Sequence, residues 1–251
     1  MSLTLAVEMF LKNWPMFLRG ASRTLLVAIA GTLIGALLGL IIGVIRTIPV
    51  PKKGIRKTIL KVVNGLLSAY IEFFRGTPMM VQAMVIYYGI AGAYGVQLNR
   101  LFAGILIVSI NTGAYMAEIV RGGILSVDEG QSEAAHALGM THVQTMLNVV
   151  LPQVIRNILP ATGNEFVVNI KDTSVLSVIS LTELFFQTRT IAANSFKFFE
   201  PFFVTCVIYF IMTFTVTRIL RMFERKLEGH KNYTVLGSPI QVELPEDAQE
   251  Q

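Results

Sequence analysis

The sequence is short of the residues on which most protein chemistry depends. Its single cysteine, Cys206, can form no disulfide within the chain and no C-x-x-C metal pair. Three histidines, His136, His142 and His230, are too scattered for a metal site, and no serine, histidine and carboxylate set marks a hydrolase. No G-x-x-x-x-G-K-S/T loop occurs, so ATP is not bound through one. Charge is scarce as well: 15% of the 251 residues are Asp, Glu, Lys or Arg, against about 25% in ordinary soluble domains. No catalysis is expected within this chain.

What is present is apolar: 53% of residues are hydrophobic, gathered in long blocks. Blocks of that length predict bilayer spans. The net charge of +5 would suggest nucleic acid or acidic membrane in a soluble protein. Here Lys and Arg cluster beside the apolar blocks with no stripe of exposed aromatics between them, so lipid headgroups explain them and nucleic acid does not. The start lacks the charged, apolar, small-residue order of a cleaved signal and is read as retained.

In chain order, residues 1–23 read as an interfacial segment, with Trp14 at headgroup level among Glu8, Lys12 and Arg19. From Thr24 to Ile45 there is no charge for 22 residues, a first span. Gly31, Gly35, Gly39 and Gly43 fall on one stripe of it, where a neighbouring backbone can approach closely. Six Lys and Arg between Arg46 and Lys61 mark a cytoplasmic loop, which puts the N-terminus outside. A second span, about 62–90, contains Glu72, Arg75 and Gln82, with a kink expected at Pro78. Glu72 and Arg75, three apart, either form an ion pair or serve a pathway.

A third span, about 101–120, carries Asn111, Tyr115 and Glu118 on one helix face, where they line a cavity or bond between helices. A fourth, about 145–170, contains Pro152 and Pro160 and, toward its outer end, Asn157, Asn164 and Glu165, followed by Lys171. Glu165, Lys171 and the asparagine amides could together hold a zwitterionic amino acid; capping of the helix end is the other reading. Residues 175–198 read as an external helix and loop. A last span, about 199–220, ends in Arg218, Arg221, Arg225 and Lys226, a second cytoplasmic signal. The reading is all-α: a bundle of about five spans over 24–227, then a cytoplasmic tail at 228–251.

The stretch from Ser126 to Pro152 differs from everything around it. Ser126 and Glu129 have capping-box spacing, Gly139 suits a left-handed stop, and Thr141 and Gln144 repeat the box. These predict a short helix, about 127–139, between two membrane helices. Its order of Glu133-Ala134-Ala135, three residues, Gly139, nine residues, Val149, one residue and Leu151-Pro152 resembles the EAA signature of permease subunits of ATP-binding-cassette importers. Val149 stands where isoleucine is usual. Tyr70 to Gln82 and Asn111 to Ile124 resemble the polar amino-acid uptake type.

The resemblance implies the membrane subunit of an ATP-driven amino-acid importer in a bacterial cell membrane. Glu133, Ala134, Ala135, Gly139, Leu151 and Pro152 would couple it to the ATPase. It further implies a homo- or heterodimer of permeases, two cytoplasmic ATPase subunits that carry the ATP and Mg, and an external amino-acid-binding protein. No cofactor is expected on this chain itself. The alternative is a secondary transporter or channel working without ATP; no inverted repeat supports it.

Overall fold

A computed structural model of the protein describes residues 3–227; the expected tail at 228–251 lies outside the described residues. Every regular element among those residues is helical. Nine α-helices are present: α1 (Leu3–Arg46), α2 (Ile55–Gly76), α3 (Met79–Tyr94), α4 (Arg100–Leu125), α5 (Glu129–Ala137), α6 (His142–Thr145), α7 (Leu151–Asp172), α8 (Leu184–Ser195) and α9 (Phe199–Leu227). A π-helical turn, Met146–Val150, joins α6 to α7, and a 3-10 helix, Thr173–Ile179, follows α7.

α1, α4 and α9 are long and apolar enough to cross a bilayer. At 44 residues α1 is about 66 Å long, so the stretch read as a separate interfacial segment is, from Leu3, one helix with the first span. Pro15 sits inside it. A Cβ placed on Gly31, Gly35, Gly39 or Gly43 would meet Val108, Thr112, Met116 or Val120 respectively. Both series rise by four, so α1 and α4 run parallel and in register. Lipid tails give no hydrophobic drive to such a seam; close packing of small residues against branched ones holds it.

Parallel α1 and α4 require the chain to cross back between them, and α2 with α3 does so. The expected kink is a full break: Thr77 is extended, Pro78 caps α3, and a proline at that point has no N–H to continue α2. A second return comes through α6, the π-helical turn and α7, the last of which packs antiparallel to α9; Gly163 meets Leu220 and Val167 lies beside Thr217. Together with α1, α4 and α9, the three described helices long and apolar enough to cross, these two composite returns make five passes along the bundle, the number expected from the sequence.

The external helix and loop expected at 175–198 are corrected in their first part, while α8 falls within the range. Leu176 and Ile179 of the 3-10 helix are fully buried with Val27, Ala103, Ile107 and Val108 in the main apolar cluster. Asn169 donates to Thr32 of α1 at 2.8 Å and to Thr112 of α4 at 2.9 Å. The end of α7 therefore stops part-way along α1 and α4, and the 3-10 helix completes the crossing. Asn164 and Glu165 consequently lie toward the Arg46 end of α1, not at the opposite end as the sequence suggested.

Candidate functional site

The short helix predicted between the third and fourth spans is α5. Its N-cap is Asp128, whose carboxylate accepts from the Gly130 amide at 2.7 Å. The expected Ser126–Glu129 box is not formed, because Ser126 Oγ turns back to donate to the Gly123 carbonyl at 2.8 Å. At the other end Met140 N donates to Ala135 O at 3.1 Å and Gly139 N to His136 O at 2.9 Å, with Gly139 at φ 80°. This bond pair is the Schellman stop. The Thr141–Gln144 capping box follows at once, as predicted. Two back-to-back caps fix the angle between α5 and α6.

Ala135 faces inward against this support and is buried, which removes it from the docking surface the resemblance implied. Glu133, Ala134, Ala137 and Gly139 are exposed, and Leu138 is 84% exposed at the tip. Leu151 and Pro152 belong instead to the base of the knob. Leu151 packs against the cluster of Met116, Val120, Met146, Val150, Val154 and Ile158. Pro152 lacks the N–H an α-helix would use, and the preceding π-helical turn, in which Leu151 N reaches Met146 O, absorbs the mismatch. On its outer side Asn148 and Gln153 donate to the carbonyls of Gln144 and Val149, each at 2.9 Å.

The polar residues of the crossings form separate groups. Gln82 is buried and repairs the break before it: Nε2 donates to the carbonyls of Phe74 and Thr77, each at 2.9 Å. Its Oε1 accepts from Asn111 Nδ2 at 2.9 Å, so Gln82 and Asn111 hold α2, α3 and α4 together. Glu118 is tied to Arg46 of α1 and to Arg121, and Arg46 also donates to Ser68 of α2 at 3.3 Å. It is therefore part of an ion cluster that clamps three helices at one end of the bundle, and not an open lining group.

The expected Glu72–Arg75 ion pair is absent; Glu72 is exposed and the Arg75 guanidinium lies 5.4 Å from the centre of the Tyr115 ring. Arg75 and Asp172 both lie within electrostatic range of Glu165. Glu165 and Asp172 are seven apart and share a face of α7. Asn164 and Lys171 lie on another face, with Val167, beside Thr217 and Arg221 of α9. Lys171 and Asn164 thus turn toward α9, while the charged neighbours of Glu165 are Asp172 and Arg75.

Sequence reasoning passed over three residues. Asp172 does not figure among the candidate residues above, although its seven-residue spacing from Glu165 is legible in the sequence. Asn169, buried between two threonines, carried no signal beyond its being polar inside an apolar block. Glu183 is fully buried, accepts from the amides of Phe185 and Phe186 at 2.8 and 2.7 Å as the N-cap of α8, and accepts from Tyr209 Oη at 3.2 Å. An acidic residue just before an apolar run is a cap signal that could have found it.

Parallel apolar crossings, a crossing helix broken part-way and a doubly capped knob between two crossings define a polytopic helical membrane protein. Residues 35–229 match the family described as the inner membrane component of binding-protein-dependent transport systems, and the chain belongs to that family. It is 36% identical over 242 residues to a nopaline transport system permease protein, NocM, of Agrobacterium fabrum, covering 92% of this chain and 96% of the relative. It is 35% identical over 215 residues to a glutamine transport system permease protein, GlnP, of Escherichia coli K12, covering 85% and 94%.

A crystal structure of an amino acid ABC transporter with histidines is similar at TM-score 0.76 and 40% identity, over 86% of this chain and 96% of that one. The MetNI methionine ABC transporter, inward facing, shares the fold at TM-score 0.72 and 18% identity, over 86% and 98%. These relatives favour the first of the two sequence readings, and none of them supports transport without ATP.

Proposed function

We propose that this chain is the permease subunit of an ATP-driven amino-acid importer and that an ATPase grips it by α5. One observation carries the docking role: α5 exposes Glu133, Ala134, Ala137 and Leu138, yet its exit is fixed by a Schellman stop and a capping box. A face left bare on a rigidly held mount suits a surface that another protein pushes. ATP and Mg²⁺ bind the two ATPase subunits and not this chain, which pairs with a second permease and takes substrate from an external binding protein. The basic loop after Arg46 and the basic end of α9 support an orientation with both, and α5, on the cytoplasmic side and the start of α1 outside.

Closure of the ATPases moves α5, and α4 and α7, on either side of it in the chain, tilt with it. That exchanges an inward-open for an outward-open cavity, provided the docked contacts differ between the two states. Arg75, Tyr115, Glu165 and Asp172 offer a cation, an aromatic face and two carboxylates to an amino acid's carboxylate and ammonium groups. Reconstitution in vesicles with the candidate ATPase and binding proteins tests the reading. Amino-acid-stimulated ATP hydrolysis coupled to uptake is expected; uptake without nucleotide, or hydrolysis indifferent to every amino acid, would overturn it.

A further inference from the structure

Between Arg46 and Glu72 the chain contains no acidic residue, yet Lys52, Lys53, Arg56, Lys57 and Lys61 all fall there. Among the described residues the ion pairs are Arg46–Glu118 and Arg121–Glu118, so none of these five cations has a carboxylate partner there. Lys57 Nζ reaches only the Lys52 carbonyl, at 3.2 Å. On the same helix Ile55, Ile59, Val62 and Leu66 are all more than half exposed. Their spacing of four, three and four puts them on one narrow stripe of α2, turned away from buried Ile71. Arg56 borders that stripe, Lys61 lies farther round the helix and Lys57 on the opposite side. An exposed apolar stripe with Arg56 at its edge and Lys52 and Lys53 in the loop before it is the form of a helix that lies against a lipid surface, with acyl chains on the stripe and headgroups on the cations.

We propose that the first half of α2, with the loop before it, is a binding surface for anionic phospholipid. A second copy of the chain is a poor occupant, because symmetric contact would set these cations against their own counterparts. The surface is also tied to the moving parts. Two turns beyond Lys61, Ser68 accepts from Arg46, and Tyr70 Oη donates to the Ile110 carbonyl of α4 at 2.6 Å. Headgroup occupancy therefore steadies the α1, α2 and α4 clamp from which the chain runs on to α5. The lipid surface depends on neither the substrate nor the docking reading above.

The test is retention of lipid by the purified transporter complex, measured by native mass spectrometry after reconstitution with equal phosphatidylglycerol and phosphatidylcholine. The complex should retain phosphatidylglycerol selectively. Replacing Lys52, Lys53, Arg56, Lys57 and Lys61 by Gln should cut that retention at least ~tenfold, since each Lys or Arg near an anionic surface contributes roughly a factor of five. Replacing Arg218, Arg221, Arg225 and Lys226 by Gln should change it far less. Equal retention by the first variant and the unaltered complex would overturn the proposal. So would retention that emerges only when residues 228–251 are removed, because the acidic groups of that segment would then be the occupant.

Discussion

A Cβ on Gly39 of α1 would lie 2.3 Å from Met116 Cβ, whereas one on Gly139, past the end of α5, would meet nothing within 4 Å. Both positions belong to stretches rich in Gly and Ala, and the smallness serves opposite ends. At the α1–α4 seam it is spent within the chain: four glycines admit Val108, Thr112, Met116 and Val120 and make one stiff pair of rods. At the end of α5 only Ala135 turns inward, and the smallness of exposed Ala134, Ala137 and Gly139 is not used by any contact among the described residues. Low relief there, beside an 84% exposed Leu138, suits a surface outside the chain. A small residue thus carries information only together with what stands opposite it.

The difference can be broken at the seam. Gly39→Leu forces side chain and backbone of α4 apart, because Met116 C also lies within 2.7 Å of the added Cβ. A loss of about 3 kcal/mol or more is expected, as for severe overpacking, read as a collapse of the thermal midpoint in detergent. On α5 the opposite outcome is expected. Glu133→Arg and Leu138→Asp should leave the midpoint unchanged while weakening association with the ATPase by about 2–4 kcal/mol, the range of an interface hot spot, measured by co-purification and titration. Gly139→Trp should lose coupling too, with strain added by the left-handed backbone at φ 80°.

Two smaller effects sharpen the contrast between packing and polar repair. Asn169→Leu leaves the Thr32 and Thr112 hydroxyls without their shared partner in the core and should cost about 1–2 kcal/mol in thermal stability. At the entry to α5, Asp128→Ala should cost about 1 kcal/mol as a lost cap. Ser126→Ala should stay within about 0.5 kcal/mol, since its hydroxyl bonds only backward to Gly123. Reversal of that last pair would mean that the sequence-derived box forms after all.

These predictions also mark how far the sequence could be read. Periodicity and glycine spacing place the crossings, a close-packing stripe on α1 without its partner, a bend at Pro78 and the stop at Gly139, because each depends on residues close together in the chain. The expected Ser126 cap fails because Ser126 closes the end of α4, leaving Asp128, two positions on and of the same cap chemistry, to start α5. Side-chain partners were the least legible. Glu118 was visible as a charge in a span, but its partner Arg46 is 72 residues away, and nothing local could couple them. The 3-10 helix at 173–179 read as a loop because it is too short for a span; its burial depends on stopping α7 early.

Leu138→Cys in a Cys206→Ser background offers the most direct measurement. In inside-out vesicles holding the assembled transporter, the new thiol should cross-link to the ATPase subunit and, once that subunit is stripped away, react with a membrane-impermeant maleimide. Labelling from the outer face of intact cells, or free labelling in the assembled complex with no cross-link, would contradict the claim that α5 is the part the ATPase holds.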